Sequence, residues 1–388
     1  MAPGIVLKSL HGLEGSARLL DPMMGSGTVL AIARAEGHRA IGVDSDPLAV
    51  LLARVWTTTI DRQAVLLKAD EVLQRAKTLF RTLTIAAAYP KNADADTRKF
   101  IRYWFDDYAR RQLASLATAI SRVRDERIRE VLWCGFSRLI ITKQAGASLA
   151  MDLSHSRPHK KFRRAPIKPF NKFLATVDVV VSNCPQRGAE RLGPPPRVSE
   201  GDARQLDIDD NSIDIVVTSP PYLNAIDYLR CSKFSLVWMG YNVSELRKIR
   251  GENIGAESAS PEAIAAEWVR SIITNLRLTP RLSTRDQRLL CQYIWDMNQA
   301  ISETARVLRS GALAVYVVGD STIRGTFIRN SRIVSVLAHR HGLSLVSRHS
   351  RRLPANRRYL PPPSAAGDES ALDSRMRREV VMEFRKAA

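Results

Sequence analysis

Between Arg18 and Trp56 the chain runs twice through one pattern, and few folds accept it. Arg18 to Met24 reads as a short buried strand ending in Gly25-Ser26-Gly27, and Thr28 to Glu36 carries helical spacing up to a stop at Gly37. Arg39 to Asp44 is a second apolar strand. Pro47, tolerated in a helix's first turn, then leads the apolar run Leu48 to Trp56. Parallel strands need a crossover between them, so strand, glycine turn, helix, strand, helix predicts the opening of a doubly wound parallel sheet.

From about Thr59 to Pro196 the alternation breaks, and amphipathic spacing predicts helices at Ala64 to Leu83, Thr97 to Val123 and Glu126 to Ile141. A mainly helical insertion is the simplest account. Its later part, Arg157 to Lys172, holds seven Lys or Arg, no acid and three prolines, which predicts a loop. The sheet resumes near Val198: Gly201-Asp202-Ala203 comes first, then Ser212 to Thr218 as an apolar strand entering Ser219-Pro220-Pro221-Tyr222. A long helix is expected over Cys291 to Leu308, with strands at Ala312 to Val318, Leu343 to Arg348 and Glu379 to Phe384. The implied division is 1–58 as a first sheet half, 59–196 as the insertion and 197–388 as the second sheet half. No internal repeat is visible.

Charge narrows the partners. Fifty-nine Lys and Arg face 39 Asp and Glu, a formal net charge of +20 with a pI near 10.3. That excess favours a polyanion, nucleic acid first, over neutral metabolites, although a generally basic proteome would give the same figure. Cys134, Cys184, Cys231 and Cys291 form no CxxC pair, so neither a zinc cluster nor a disulfide framework is indicated. No apolar run approaches a membrane span and no leader follows Met1, so a soluble, cytoplasmic protein is expected.

Two segments carry chemistry. In Asp21-Pro22-Met23-Met24-Gly25-Ser26-Gly27-Thr28, the glycines let backbone approach a ligand and the following helix offers free N–H groups. Such turns are often only structural, but Asp44 ends the next strand, where a nucleoside's ribose hydroxyls need an acceptor. In Thr218-Ser219-Pro220-Pro221-Tyr222, consecutive prolines directly after an apolar strand fix a rigid turn that suits a clamp on a flat heterocycle. An exposed turn whose tyrosine packs on a helix would look the same in isolation.

Taken together, these segments resemble the motifs of the S-adenosylmethionine-dependent amino methyltransferases of DNA. Asp21 to Thr28 resembles their D-P-F-x-G-S-G-T cofactor motif, with Met23 in the phenylalanine position, and Thr218 to Tyr222 resembles their catalytic (S/D/N)-P-P-(Y/F) motif. Gly42 to Pro47 and Gly201 to Ala203 resemble the two acidic motifs between them. The resemblance covers the sheet halves and leaves the insertion outside. It implies the Rossmann-like, seven-stranded doubly wound sheet of class I methyltransferases, with S-adenosyl-L-methionine as cofactor. Asp21, Gly25 and Gly27 would hold its methionine portion, within a turn completed by Pro22, Met23, Ser26 and Thr28. Asp44 would hold the ribose and Asp202 the adenine amino group. Ser219, Pro220, Pro221 and Tyr222 would form the catalytic clamp. Ala2 to Ile5 resembles the tail of a motif that starts farther upstream in relatives, which implies a truncated beginning.

The expected reaction is methylation of an exocyclic amino group on a DNA base. Acceptors at Ser219 and the Pro220 carbonyl would localise the amino lone pair toward the methyl donor, and Tyr222 would stack on the base. Serine at the first clamp position resembles the cytosine-N4 enzymes; aspartate is commoner in the adenine-N6 ones. The base must be flipped or single-stranded, and phosphate contacts must offset that cost. Arg157, Lys160, Lys161, Arg163 and Arg164 are candidates, as are Arg351 and Arg352 with Arg348, Arg357 and Arg358 around them. An RNA base methyltransferase and a nucleic-acid-binding relative without catalysis remain open readings. A cognate restriction enzyme is a candidate partner. No metal is expected: His155 and His159 lack clustered ligands and read as a structural loop or a nucleic-acid contact. Asp227 and Tyr228 suit either base positioning or a cap and a packing residue.

Overall fold

A computed structural model of the chain describes residues 1–13, 15–142, 145–151, 158–186, 192–223, 228–256, 259–323, 326–353 and 378–387. In chain order it begins with helix α1 (Pro3–Leu10), strand β1 (Arg18–Asp21), α2 (Thr28–Ala35) and β2 (Arg39–Asp44). Helices α3 (Pro47–Thr57), α4 (Arg62–Thr82), α5 (Ala95–Trp104), α6 (Asp107–Ser121), α7 (Glu126–Ile140) and α8 (Pro169–Val181) follow, then β3 (Arg197–Glu200) and β4 (Ile213–Thr218). The remainder is α9 (Tyr228–Leu236), α10 (Val243–Glu252), α11 (Pro261–Ala265), α12 (Glu267–Asn275), α13 (Thr284–Val307), β5 (Leu308–Gly319), α14 (Asn330–Arg340), β6 (Leu343–Arg352) and β7 (Arg378–Lys386). Two short ribbons pair Ala150–Met151 with His159–Lys160 and Ser321–Ile323 with Thr326–Ile328.

All seven numbered strands join one sheet in the order β6-β7-β5-β4-β1-β2-β3. From β5 to β3 every pairing is parallel, while β7 runs antiparallel to both β5 and β6. This is the Rossmann-like, doubly wound sheet of class I methyltransferases that the motifs implied. Strand β1 is the middle one of the five parallel strands, and the carboxyl ends of β3, β2, β1, β4 and β5 fall along one edge.

The chain divides into two compact units. One comprises Met1–Ser45, Arg191–Ile226 and Arg250–Ala388; the other comprises Asp46–Glu190 and Asp227–Ile249. The first holds the sheet, and its core gathers Leu20, Ile41, Val216, Tyr293, Ile294, Tyr316 and Phe384. The second is helical, with a separate core around Phe105, Phe136, Phe173, Phe234 and Trp238. In that unit an aspartate side chain caps each of α3 to α7: Asp46, Asp61, Asp94, Asp106 and Asp125 accept from the first-turn N–H groups. Among the described residues, no helix is long and apolar enough to cross a membrane.

Several boundaries differ from the sequence expectation. The expected helix from Thr97 to Val123 is two, because Phe105 is extended and Asp106 starts a new helix by accepting from the Tyr108 and Ala109 N–H groups. The long helix begins at Thr284 rather than Cys291, since Ser283 caps it through the Asp286 N–H. Arg157 to Lys172 was expected to be a loop throughout, yet His159–Lys160 forms a strand and Pro169, at a helix's tolerated first position, opens α8. Strand β1 ends at Asp21, so Pro22 to Met24 already belong to the turn.

Helix α2 packs closely on β2. A Cβ at Gly42 would clash with Met24 Sδ and stand 2.5 Å from Leu30 Cδ1. Gly42→Ala is therefore expected to cost about 1–3 kcal/mol in urea unfolding through overpacking. Gly4→Ala, in open space on α1, should leave stability unchanged or slightly raised.

Candidate active site

The site residues of the sheet unit come from the carboxyl ends of four adjacent parallel strands. After β1 the chain turns through Pro22 to Gly27. Gly25 and Gly27 have φ of +51° and +77°, left-handed backbone that a side chain disfavours, and Gly27 sits at the N-cap of α2. The turn is tied down twice: the Met24 N–H donates to the Val43 carbonyl at 3.0 Å, and the Gly25 N–H donates to Asp44 Oδ2 at 2.8 Å. Asp44, at the end of β2, therefore faces this turn, as a ribose acceptor would need to. Pro22 and Gly27 are buried, Met23 and Thr28 half-buried, and Ser26 is exposed.

Asp21 is buried and makes the link across the sheet. Its Oδ1 accepts from Thr218 Oγ1 at 2.7 Å and from the Met23 N–H at 3.2 Å. Burial pushes its carboxyl up to about 7, against the lowering effect of those two bonds, and the nearby Asp44 charge adds to the rise. Thr218 is the last residue of β4, so the hydrogen bond joins the glycine turn to the double-proline turn.

In that second turn Pro220 is buried, while Ser219, Pro221 and Tyr222 are half-buried. Ser219 Oγ donates to the Val317 carbonyl on β5 at 3.0 Å and lies 3.4 Å from the Tyr222 hydroxyl. With its proton committed to β5, the serine oxygen presents lone pairs, as an acceptor for an amino group must. Nearby, α13 contributes the buried Tyr293, whose hydroxyl has no hydrogen-bond partner among the described residues. Burial raises its phenol, and Tyr222 and Asp320 add to the rise.

Asp202 stands just past the end of β3, half-exposed, and its carboxylate is already paired. Arg204 grips it through Nε at 3.0 Å and Nη2 at 2.7 Å, and also reaches the buried Asp296 at 2.7 Å. Burial works against the Arg204 charge, but the bonds from Asp202 and Asp296 outweigh it and move the guanidinium further up. Asp296 is raised by its own burial, offset by the Gly255 N–H, Arg204 and Gln292.

The basic candidates divide between the units. In the helical unit Lys160, Lys161, Arg163 and Arg164 are all exposed, on a segment anchored by backbone bonds from Lys161 and Phe162 to the Leu149 carbonyl and from Ala165 to Asp106. Lys160 lies over the Tyr103 ring at 5.1 Å. In the sheet unit Arg351 is committed to Glu379 at 2.7 Å, whereas Arg352 is exposed. Arg157, His155, Asp227, Arg357 and Arg358 lie outside the described residues. Among the described residues no group of three or more His, Cys, Asp or Glu is placed to hold a metal ion.

Sequence reasoning missed Thr218 as the partner of Asp21, Arg204 as the partner of Asp202, and Tyr293. Thr218 carried the one available signal, a polar residue closing an otherwise apolar strand beside the proline turn. Arg204 stands two residues from Asp202, but its second partner, Asp296, and Tyr293 meet the site only through the fold.

The relatives are type II methyltransferases. The chain is 23% identical to the type II methyltransferase M.MvaI of Kocuria varians over 368 residues, 88% of this chain and 78% of that protein. It is 22% identical to M.AvaI of Nostoc sp. over 370 residues, 84% and 73% of the two chains. A SAM-dependent methyltransferase structure from Methanosarcina mazei aligns at 9% identity with a TM-score of 0.35, covering 100% of this chain and 98% of that one. No protein-family model matches the chain.

The Asp21 carboxyl gives a pH signature. Its folded value, about 7, exceeds the ordinary 3.8, so the unfolded chain loses this proton first as pH rises. The stability it contributes is full below about pH 4 and is lost as pH climbs toward 7. The stability difference between wild type and Asp21→Asn should accordingly fall with pH across that window in denaturant titrations. A difference independent of pH would mean that the carboxyl is not neutral in the fold.

Proposed function

We propose that the chain is a DNA methyltransferase that uses S-adenosyl-L-methionine to methylate an exocyclic amino group, with cytosine N4 the preferred target. The observation that carries this reading is the 2.7 Å bond from Thr218 to Asp21, which ties the glycine turn and the Ser219–Tyr222 turn together at neighbouring strand ends. Relatedness to type II methyltransferases along most of the chain supports DNA as the substrate class.

The residues present fit the cofactor. Left-handed glycines bring backbone N–H groups to the head of α2, the buried Asp21 offers a carboxyl to a cationic amino acid, and Asp44 offers acceptors one strand away. When bound, the cofactor supplies an electrophilic methyl group on a sulfonium. Asp202 is assigned to the adenine end; since Arg204 holds its carboxylate, the two act there as a pair.

The protein's part is to position the amino group. An exocyclic amine is a poor nucleophile while its lone pair is shared with the ring. Ser219 Oγ, its proton held by the Val317 carbonyl, accepts one N–H, and the Pro220 carbonyl accepts the other. Those bonds localise the lone pair away from the ring. The double proline keeps the two acceptors at fixed separation, which lowers the ordering cost of reaching the reactive geometry. Tyr222 stacks on the flipped base, and the helical unit, with Lys160, Lys161, Arg163 and Arg164 exposed, contacts phosphates. Serine at position 219 supports cytosine, by its likeness to the cytosine-N4 enzymes.

Incubation with methyl-tritiated cofactor and matched DNA and RNA, followed by nucleoside digestion, tests this directly. Label is expected in N4-methyldeoxycytidine; label only in RNA nucleosides would remove the DNA assignment, and cofactor binding without label in any base would remove catalysis. Tyr222→Ala should lower transfer by about 10- to 100-fold through lost stacking, with cofactor affinity by calorimetry nearly unchanged.

A further inference from the structure

Helix α14 presents a cationic face that the sequence reading did not single out. Arg329, at its N-cap, and Arg332, Val336 and His339 recur at three- and four-residue spacing, so they lie along one side. Arg348 on β6 comes alongside, its Nη2 donating to Ser331 Oγ at 3.1 Å. With Ser335 these residues line an open groove of about 520 Å³ that has no carboxylate in its wall.

Three arginines line this one groove without counter-charge. Several other arginines of the sheet unit are neutralised: Arg204 by Asp202 and Asp296, Arg306 by Asp210 and Glu303, Arg309 by Asp214, Arg351 by Glu379. None of Arg329, Arg332 and Arg348 pairs with a carboxylate among the described residues. Three unpaired guanidiniums side by side repel one another, a cost that a polyanion would relieve. Their planar forks suit phosphate oxygens.

The groove also begins at the catalytic edge. Asn330 Nδ2 donates to the Gly319 carbonyl at the end of β5 at 2.9 Å, and the Ser331 N–H donates to Asp320 Oδ1 at 2.9 Å. Strand β5 is the strand whose Val317 carbonyl fixes Ser219. From Arg329 to His339 the helix rises about 15 Å, which spaces the cations in a row instead of converging them on a single small anion.

We propose that this α14–β6 groove binds backbone phosphates of duplex DNA beside the target base. The proposal rests on the DNA reading above and adds a surface to it. Arg329, Arg332 and Arg348 contact successive phosphates of one strand, and Ser335 and His339 extend the track.

The test is the salt dependence of binding to a mixed-sequence DNA duplex, compared between wild type and the triple variant Arg329→Gln/Arg332→Gln/Arg348→Gln. All three arginines are exposed, so folding should be retained, which melting curves check. Losing three phosphate contacts should reduce the slope of log K against log salt by about 2–3, with cofactor affinity unchanged. Arg285→Gln/Arg288→Gln, exposed on α13, should change the slope far less per charge removed. An unchanged slope in the triple variant, or an equal loss per charge in the α13 variant, would overturn the proposal. So would weakened binding of inorganic triphosphate with duplex binding intact, which would make the groove a small-anion site. Methyl transfer by the wild type is scored separately: absent transfer with a reduced slope refutes the enzymatic reading alone, and transfer with an unchanged slope refutes the groove alone.

Discussion

The hydrogen bond between Thr218 and Asp21 is the constraint on which the rest of the site depends. Both residues close apolar strands, both are buried, and each leads directly into one of the two candidate site turns. A lone carboxyl at that depth would be costly to leave unsatisfied. Pairing it with a hydroxyl on the neighbouring strand answers that cost and also fixes the separation of the two turns. Parallel pairing of β1 with β4 then brings both turns to one edge, and parallel pairing of β2 and β3 adds Asp44 and Asp202 to the same edge.

Much of the sheet was legible because its signals are local. Glycine stops, apolar runs and a proline in a first helical turn mark β1, α2, β2 and α3 without reference to the rest of the chain. Two boundaries depend on one cap each. Nothing in the apolar spacing of Thr97 to Val123 reveals the break at Phe105; the Asp106 cap makes it. The Ser283 cap sets the start of α13 in the same way, whereas α8 has no side-chain cap and opens at Pro169 beneath a basic, proline-rich stretch that dominates the local composition. In the site, residues inside motifs were legible and their partners were not. Asp202 could be placed by its neighbours, but Arg204 takes its meaning from Asp296, far along the chain, and Tyr293 comes near Tyr222 only through the fold.

Net charge was the weakest of the sequence arguments, and the structure sharpens it by showing which cations have partners. Arg351 shares its charge with Glu379 at close range. Lys160, Lys161, Arg163 and Arg164 in the helical unit, and the α14 arginines in the sheet unit, are exposed without such partners among the described residues. Part of the excess of +20 thus lies on exposed surfaces of each unit, where a polyanion could meet it.

If the two turns form one reactive centre through Asp21 and Thr218, perturbing either side should affect the same event. A double-mutant cycle on the single-turnover rate of methyl transfer, using Thr218→Val, Asp21→Asn and the double variant, measures that coupling most directly. The account predicts strongly non-additive losses, with a coupling of about 1–3 kcal/mol, while duplex binding stays constant across the four proteins. Losses that simply add would show that the turns act independently and would contradict it.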